Sequence, residues 1–285
     1  MRNANKIGIV LSSALVVGLT VAASGTAQAG RGGSPEAIQS AIAANSVDAI
    51  QAELERAEHL VCAGCTDMVL PLIDHLDGRV RQAAAWWLAR RGTSRQVYVA
   101  MLTRLSQPDS LKARNAADVL GEFRAGSAIP ALGAALSNPI YTGEARAAMA
   151  RALGTIGRSD GAAPLQQALT DSDPFVKAAA LQALRQIDGF RDGMVAAPLL
   201  SDADAGVRAE AAVTLGVMHT RAGADALVRA MQDPSANVRK KAAWSLGRIG
   251  APLSVAGPAL QNAAANDSDP FVRSLSQAAI ASLTR

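Results

Sequence analysis

The sequence predicts an all-α protein: a right-handed superhelix, or solenoid, of about seven helix pairs with an N-terminal helical cap. Three observations predict it. One helical segment recurs seven times at spacings of 31 to 34 residues, the mark of a repeat array. A hydrogen-bonding side chain stands at the same offset before every copy. The 285 residues are 49% hydrophobic but only 3% aromatic, which suits closely packed helices with an Ala- and Leu-rich core. A length near two average domains is therefore read as one elongated domain, because a solenoid grows by adding units.

The chain opens like an address. Arg2 and Lys6 form a basic start, residues 7–23 are largely apolar, and Ala27-Gln28-Ala29 offers small residues for cleavage. This is the layout of a secretory signal peptide, so residues 1–29 are expected to be removed by a cut after Ala29. No later stretch is long and apolar enough to span a membrane. Removal lowers Lys+Arg from 28 to 26 against 24 acids, leaving a net charge of +2. So small a charge on an exported chain points away from nucleic acid. The expected location is the periplasm or the cell exterior.

Residues 30–34 read as a flexible lead-in and residues 35–65 as an N-terminal helical cap. Within that cap Ser34 with Pro35, and Ser46, are placed to start two helices. It fits the repeat poorly and is expected to shield the open face of the first unit.

The array occupies residues 66–285. Its aligned segments are Val80–Gly92, Lys112–Arg124, Ala145–Gly157, Val176–Asp188, Val207–His219, Val238–Gly250 and Val272–Leu283. Their first, fifth and ninth residues are mostly apolar, as in Val207, Ala211 and Leu215, so each segment is a helix with one buried stripe. Three residues before the segments stand Asp77, Asp109, Thr142, Asp173, Asp204, Ser235 and Asp269, side chains that accept hydrogen bonds from first-turn amides. Gly92, Gly157 and Gly250 sit where helices are expected to stop. Between segments lie second apolar stretches at 69–76, 128–136, 163–169, 195–200, 227–231 and 257–260, which makes each unit an antiparallel helix pair.

Strings such as Ala128-Ile129-Pro130-Ala131-Leu132, and the run from Val238-Arg239 to Leu246-Gly247-Arg248-Ile249-Gly250, resemble HEAT repeats. The likeness is in particular to the short type named after phycobilisome lyase subunits. The resemblance runs from about residue 67 to residue 283, and the second unit departs from it with Lys112 and Ala113 at the segment start. It implies a ladder in which an acid and a base join adjacent repeats. Capping residues Asp77, Asp109, Asp173, Asp204 and Asp269, with the recurring cations Arg81, Arg146, Lys177, Arg208, Arg239 and Arg273, are the expected members. A stripe for anionic ligands is the competing use of these cations.

The resemblance also implies that the second helix of each pair lines a concave face. Trp86 and Trp244 share the seventh position of their segments, where other repeats place Asp118, Arg151, Gln182 and Val213. Arg90, Glu122, Gln186 and Arg248 follow one turn on. These residues are expected to form a groove of mixed polarity with aromatic anchors; the alternative is that the Trp rings merely cover neighbouring helices. Trp87 is expected in the core.

Cys62-Ala63-Gly64-Cys65 holds both cysteines of the chain. After export the simplest state is a disulfide, with a redox or sensor thiol pair and a metal site as alternatives. His59 and His75 are the only nearby partners for a metal, and no metal is assigned. His219 lies far along the chain, and no nucleophile with a base and an orienting acid is found. Bilin lyase subunits and alkylbase DNA glycosylases resemble this repeat type, yet no catalytic set transfers residue by residue. The expectation is therefore a monomeric scaffold with no catalytic residues and no cofactor, which binds a protein or peptide partner. A redox protein acting through Cys62 and Cys65, and a bilin-lyase-like subunit, are the rival readings.

Overall fold

The computed structural model describes residues 33–285 apart from residues 63 and 93. The expected signal peptide, residues 1–29, and the start of the lead-in lie outside them. Among the described residues all regular structure is helical.

Helices α1 (Pro35–Ala43) and α2 (Val47–Arg56) open the chain, with Ser34 and Ser46 accepting the amides of Ala37 and Ala49. Seven pairs follow. The first joins α3 (Cys65–Val69) and a 3-10 turn (Leu70–Asp74) to α4 (Gly78–Ala89). Next come α5 (Ser94–Leu105) with α6 (Ser110–Glu122), α7 (Ile129–Leu136) with α8 (Gly143–Ile156), and α9 (Ala162–Ala168) with α10 (Pro174–Leu184). In the fifth pair a 3-10 helix, Gly193–Ser201, takes the place of an α-helix before α11 (Ala205–Val217). The last pairs are α12 (Ala224–Ala230) with α13 (Ala236–Arg248), and α14 (Leu253–Asn266) with α15 (Pro270–Leu283).

Helix α5 lies outside the apolar stretches expected from the sequence. It buries Val97, Met101 and Leu105, a stripe of helical spacing, but has no early Pro like Pro130 of α7 or Pro164 of α9. The departure at Lys112 and Ala113 leaves the register intact, because Asp109 accepts the Lys112 amide and Ala113 is buried.

All seven expected caps occupy cap positions, and six accept a first-turn amide. Ser235 does not; its turn is fixed instead by Asp233, whose carboxylate accepts the Ser235 amide at 2.8 Å. The helix stops are also partly corrected. Gly157 and Gly250 adopt left-handed backbone, the conformation that ends a helix without a Cβ clash. Gly92 lies two residues past the α4 cap Arg90 and is not left-handed, because α4 has already ended. Arg124 and His219 take the left-handed position in their own units.

One core runs from Ile38 to Ala279 through every pair. The seam between the opening helices and the first pair is polar as well as apolar. Trp87, 1% exposed, donates its indole N–H to the Ala57 carbonyl at 3.1 Å, and Arg91 donates to the same oxygen at 2.7 Å. No helix among the described residues is long and apolar enough to cross a membrane.

Candidate functional site

Second helices of successive pairs pack on one another more extensively than first helices do. Where those second helices meet, their backbones come close together.

This close approach has a residue-level cause. The tenth segment position is glycine in Gly121, Gly154, Gly216 and Gly247, and each faces a small residue at the eighth position of the next unit: Ala152, Ala183, Ser245 and Ala279. A Cβ built on Gly154 would stand 2.8 Å from the Ala183 Cα, and one on Gly216 would stand 2.5 Å from the Ser245 Oγ. Only a residue without a side chain lets these backbones meet. In the fourth unit the tenth position is Arg185 and its facing residue is Thr214. Arg185 donates to Thr214 Oγ1 at 2.9 Å and to the Glu210 carboxylate.

The ladder exists, but its acids are not the caps. Arg146 donates to Asp171 at 2.8 Å, and Lys177 donates to Asp202. Arg208 grips Asp233 through two bonds of 2.6 and 3.0 Å, and Arg239 grips Asp267 through two of 2.7 and 2.8 Å. Each acid belongs to the following unit and stands two residues before its cap, where it also accepts the cap residue's amide at 2.8 to 2.9 Å. The capping Asp173, Asp204 and Asp269 instead turn a carboxylate oxygen onto first-turn amides, and Asp269 also lies 3.8 Å from Lys240 of the preceding unit. Arg208, Arg239 and Arg273 also donate to carbonyls of their own turns. This internal bonding favours the ladder over an anion-binding stripe. Burial pushes the pKa of Asp202 and Asp233 up, but the Lys177 or Arg208 hydrogen bond and the cap amide outweigh it, and both end below the usual value. The Arg239 hydrogen bond likewise holds Asp267 low.

At the start of the array the ladder is missing. Gln107 and Ile140 occupy the acid positions of the second and third units, and Ala113 occupies a cation position. Arg81 instead bonds the His75 and Leu76 carbonyls at 2.8 Å, and its Nε lies 3.9 Å from Asp118. Burial and neighbouring Arg114 pull Arg81 below the usual arginine value. Burial pushes Asp118 above the usual carboxylate value, against the pull of Arg151, Arg81 and Arg114. Asp77 and Asp109 cap their helices and make no ladder rung.

The expected groove residues lie on the second helices or, for Arg90 and Gln186, just past their ends, partly buried or exposed, but they divide among separate hollows. Trp86 and Glu122 line one of about 470 Å³, with Arg90 stacked on Trp86 at 4.2 Å. Asp118, Glu122 and Arg151 line a second of about 530 Å³. Gln182 and Val213 line a third of about 510 Å³ between α10 and α11. Trp244 and Arg248, themselves stacked at 5.4 Å, line a fourth of about 230 Å³. Gln186 packs near Gly154.

Cys62 and Cys65 bring their sulfurs into contact, with Cα atoms 5.6 Å apart. Cys65 is buried in the first turn of α3 and Cys62 is the more open of the two. The histidines are scattered. His75 binds Asn45 and the Asp77 amide, while His219 binds the Arg248 carbonyl. Among the described residues no group of His, Cys, Asp and Glu is arranged to hold a metal ion.

Similarity to known proteins is one of fold. An Escherichia coli protein, YibA, superimposes with a TM-score of 0.56 at 17% identity, covering 81% of this chain and 95% of its own. An engineered protein reaches 0.51 at 23% identity, covering 84% and 71%. The CpcE–CpcF phycocyanin lyase complex from Nostoc is looser, at 0.43 and 22% identity over 76% and 94%. No protein of curated function matches in sequence. The family model for HEAT repeats matches three times, at residues 99–185, 140–200 and 194–281. Those matches take in more than half of the sequence, and the chain belongs to the HEAT-repeat family.

Proposed function

We propose that this chain is an exported, non-catalytic HEAT-repeat scaffold that binds a protein or peptide partner on its second-helix face. One observation carries the reading: that face holds two partly exposed tryptophans, Trp86 and Trp244, each with an arginine stacked on its ring beside a hollow. Trp and Arg are the side chains most enriched at binding hot spots, because a rigid apolar ring and a forked donor share one small area.

Display of a random peptide library against the full chain tests it. Ligands that lose binding in the Trp86→Ala/Trp244→Ala double variant support the face, and ligands retained by that variant sink it.

Export and the state of the cysteines belong to the same proposal. The N-terminal residue of the chain recovered from outside the cytoplasm is expected to be Gly30. Recovery only in the cytoplasm, beginning at Met1, overturns export. Cys62 and Cys65 form a short-range disulfide in this reading. Thiol titration is expected to find none before reductant and both after it.

A further inference from the structure

We infer that the hollow between α10 and α11 is a docking cleft for a partner segment that sets an apolar side chain beside an acidic one. The inference rests on the partner-binding reading above and names a site within it.

The cleft is created by one exchange. Where four other second helices present glycine to the next unit, α10 presents Arg185, and Thr214 replaces the facing Ala or Ser. Arg185 spans the gap to Glu210 and Thr214. As a result α10 and α11 meet over a shorter interface than α8 with α10 or α11 with α13. The rung from Lys177 to Asp202 spans the joint there.

The opening, about 510 Å³, has an apolar lining that includes Phe175, Ala178, Ala209 and Val213. Phe175 is 75% exposed, a large ring left uncovered at the mouth. The charges in the lining are unequal in their engagement. Asp204 holds the Val207 amide at 3.0 Å, and Glu210 is bound to Arg185. Lys241 is exposed and has no ion pair or hydrogen bond among the described residues. The acids are satisfied internally and one cation is left over, so the complementary group is a carboxylate. An apolar side chain against Phe175 and Val213 supplies the burial that a single exposed ion pair does not.

The probe is an array of short peptides placing Leu or Phe two residues from a Glu, with twins in which Lys replaces the Glu. The full chain is expected to hold the acidic set over the basic twins. Lys241→Glu is expected to weaken the acidic set about tenfold and to shift preference toward the twins. Arg185→Gly restores the residue found at the other joints, and is expected to abolish binding while the protein still melts cooperatively. Failure of both sets to bind, equal binding of the two, or binding unchanged in both variants overturns the cleft. Peptides indifferent to these variants but lost in the Trp86→Ala/Trp244→Ala double variant overturn the cleft and leave the partner-binding reading standing. Self-association that disappears in Lys241→Glu makes a second copy of the chain the occupant, and overturns the inference as stated.

Discussion

Between α11 and α13 the chain is held by two devices. Gly216 lets the backbones meet at Ser245, and the bidentate rung from Arg208 to Asp233 clamps the turn. Between α4 and α6 neither is present. Ala89 and Val119 stand at the positions of the glycine and its small partner, and Gln107 stands where the rung needs an acid. Arg81 is left near Asp118, beside the hollow that also contains Glu122 and Arg151. The α4–α6 joint thus lacks both devices and borders a hollow of about 530 Å³, while the regular α13–α15 joint carries a smaller one of about 230 Å³. The α10–α11 joint, irregular through a different residue, likewise borders a larger hollow, of about 510 Å³.

The largest expected effect is steric. Gly154→Val places methyl groups where the Ala183 backbone stands 2.8 Å from a Cβ, and is expected to cost about 3 kcal/mol in urea denaturation. Ala89→Val at the looser α4–α6 joint is expected to cost under about 1 kcal/mol. Equal losses at the two positions would break the contrast between the joints.

The ladder gives the next effect. Asp233→Ala strips the partner from Arg208, which is 14% exposed in its side chain, and is expected to cost about 2 kcal/mol. Gln107→Asp offers Arg81 the missing acid and is expected to gain up to about 1 kcal/mol, the range of a partly exposed pair. Thermal melts of both variants check the pair. A gain from Asp233→Ala removes the ladder from the account.

The smallest effect is the dependence on pH, and its sign differs between the regions. Asp202, Asp233 and Asp267 have lowered pKa values. Their stabilisation is complete above the unfolded value near 3.8 and is lost as the pH falls through the folded ones. Asp118 is raised, so its ionisation weakens the fold as the pH climbs through its folded value. Asp233→Asn/Asp267→Asn is expected to flatten the loss of stability below pH 3.8. Asp118→Asn is expected to remove an opposing slope above it. Identical acid profiles for these variants and the parent contradict the assignment of the rungs.

Much of the fold was legible because it is written locally. The cap at Asp204, the stripe of Val207, Ala211 and Leu215, and the glycine at Gly157 each act within one or two turns. Helix α5 was missed because its stripe of Val97, Met101 and Leu105 is set among polar residues without an early Pro like those of α7 and α9. The site was less legible. Trp86, Asp118, Gln182 and Trp244 were placed on the second-helix face by period alone, while their division among separate hollows depends on how far apart neighbouring helices stand. The ladder was read with the wrong acids because Asp202 and Asp204, two residues apart, offer the same chemical group for two tasks. Only the approach of Lys177 from the previous unit separates them.

The sequence by itself determined the repeat, its length, its caps and the buried stripe, since each follows from the preferences of residues within a single helix and its turn. The tertiary structure decided which carboxylate meets which cation and which joints close. Those contacts join side chains 25 or more residues apart, and their energy depends on backbone spacing. Whether the residue between two helices is Gly154 or Arg185 has little consequence within its own helix and sets the gap to the next one.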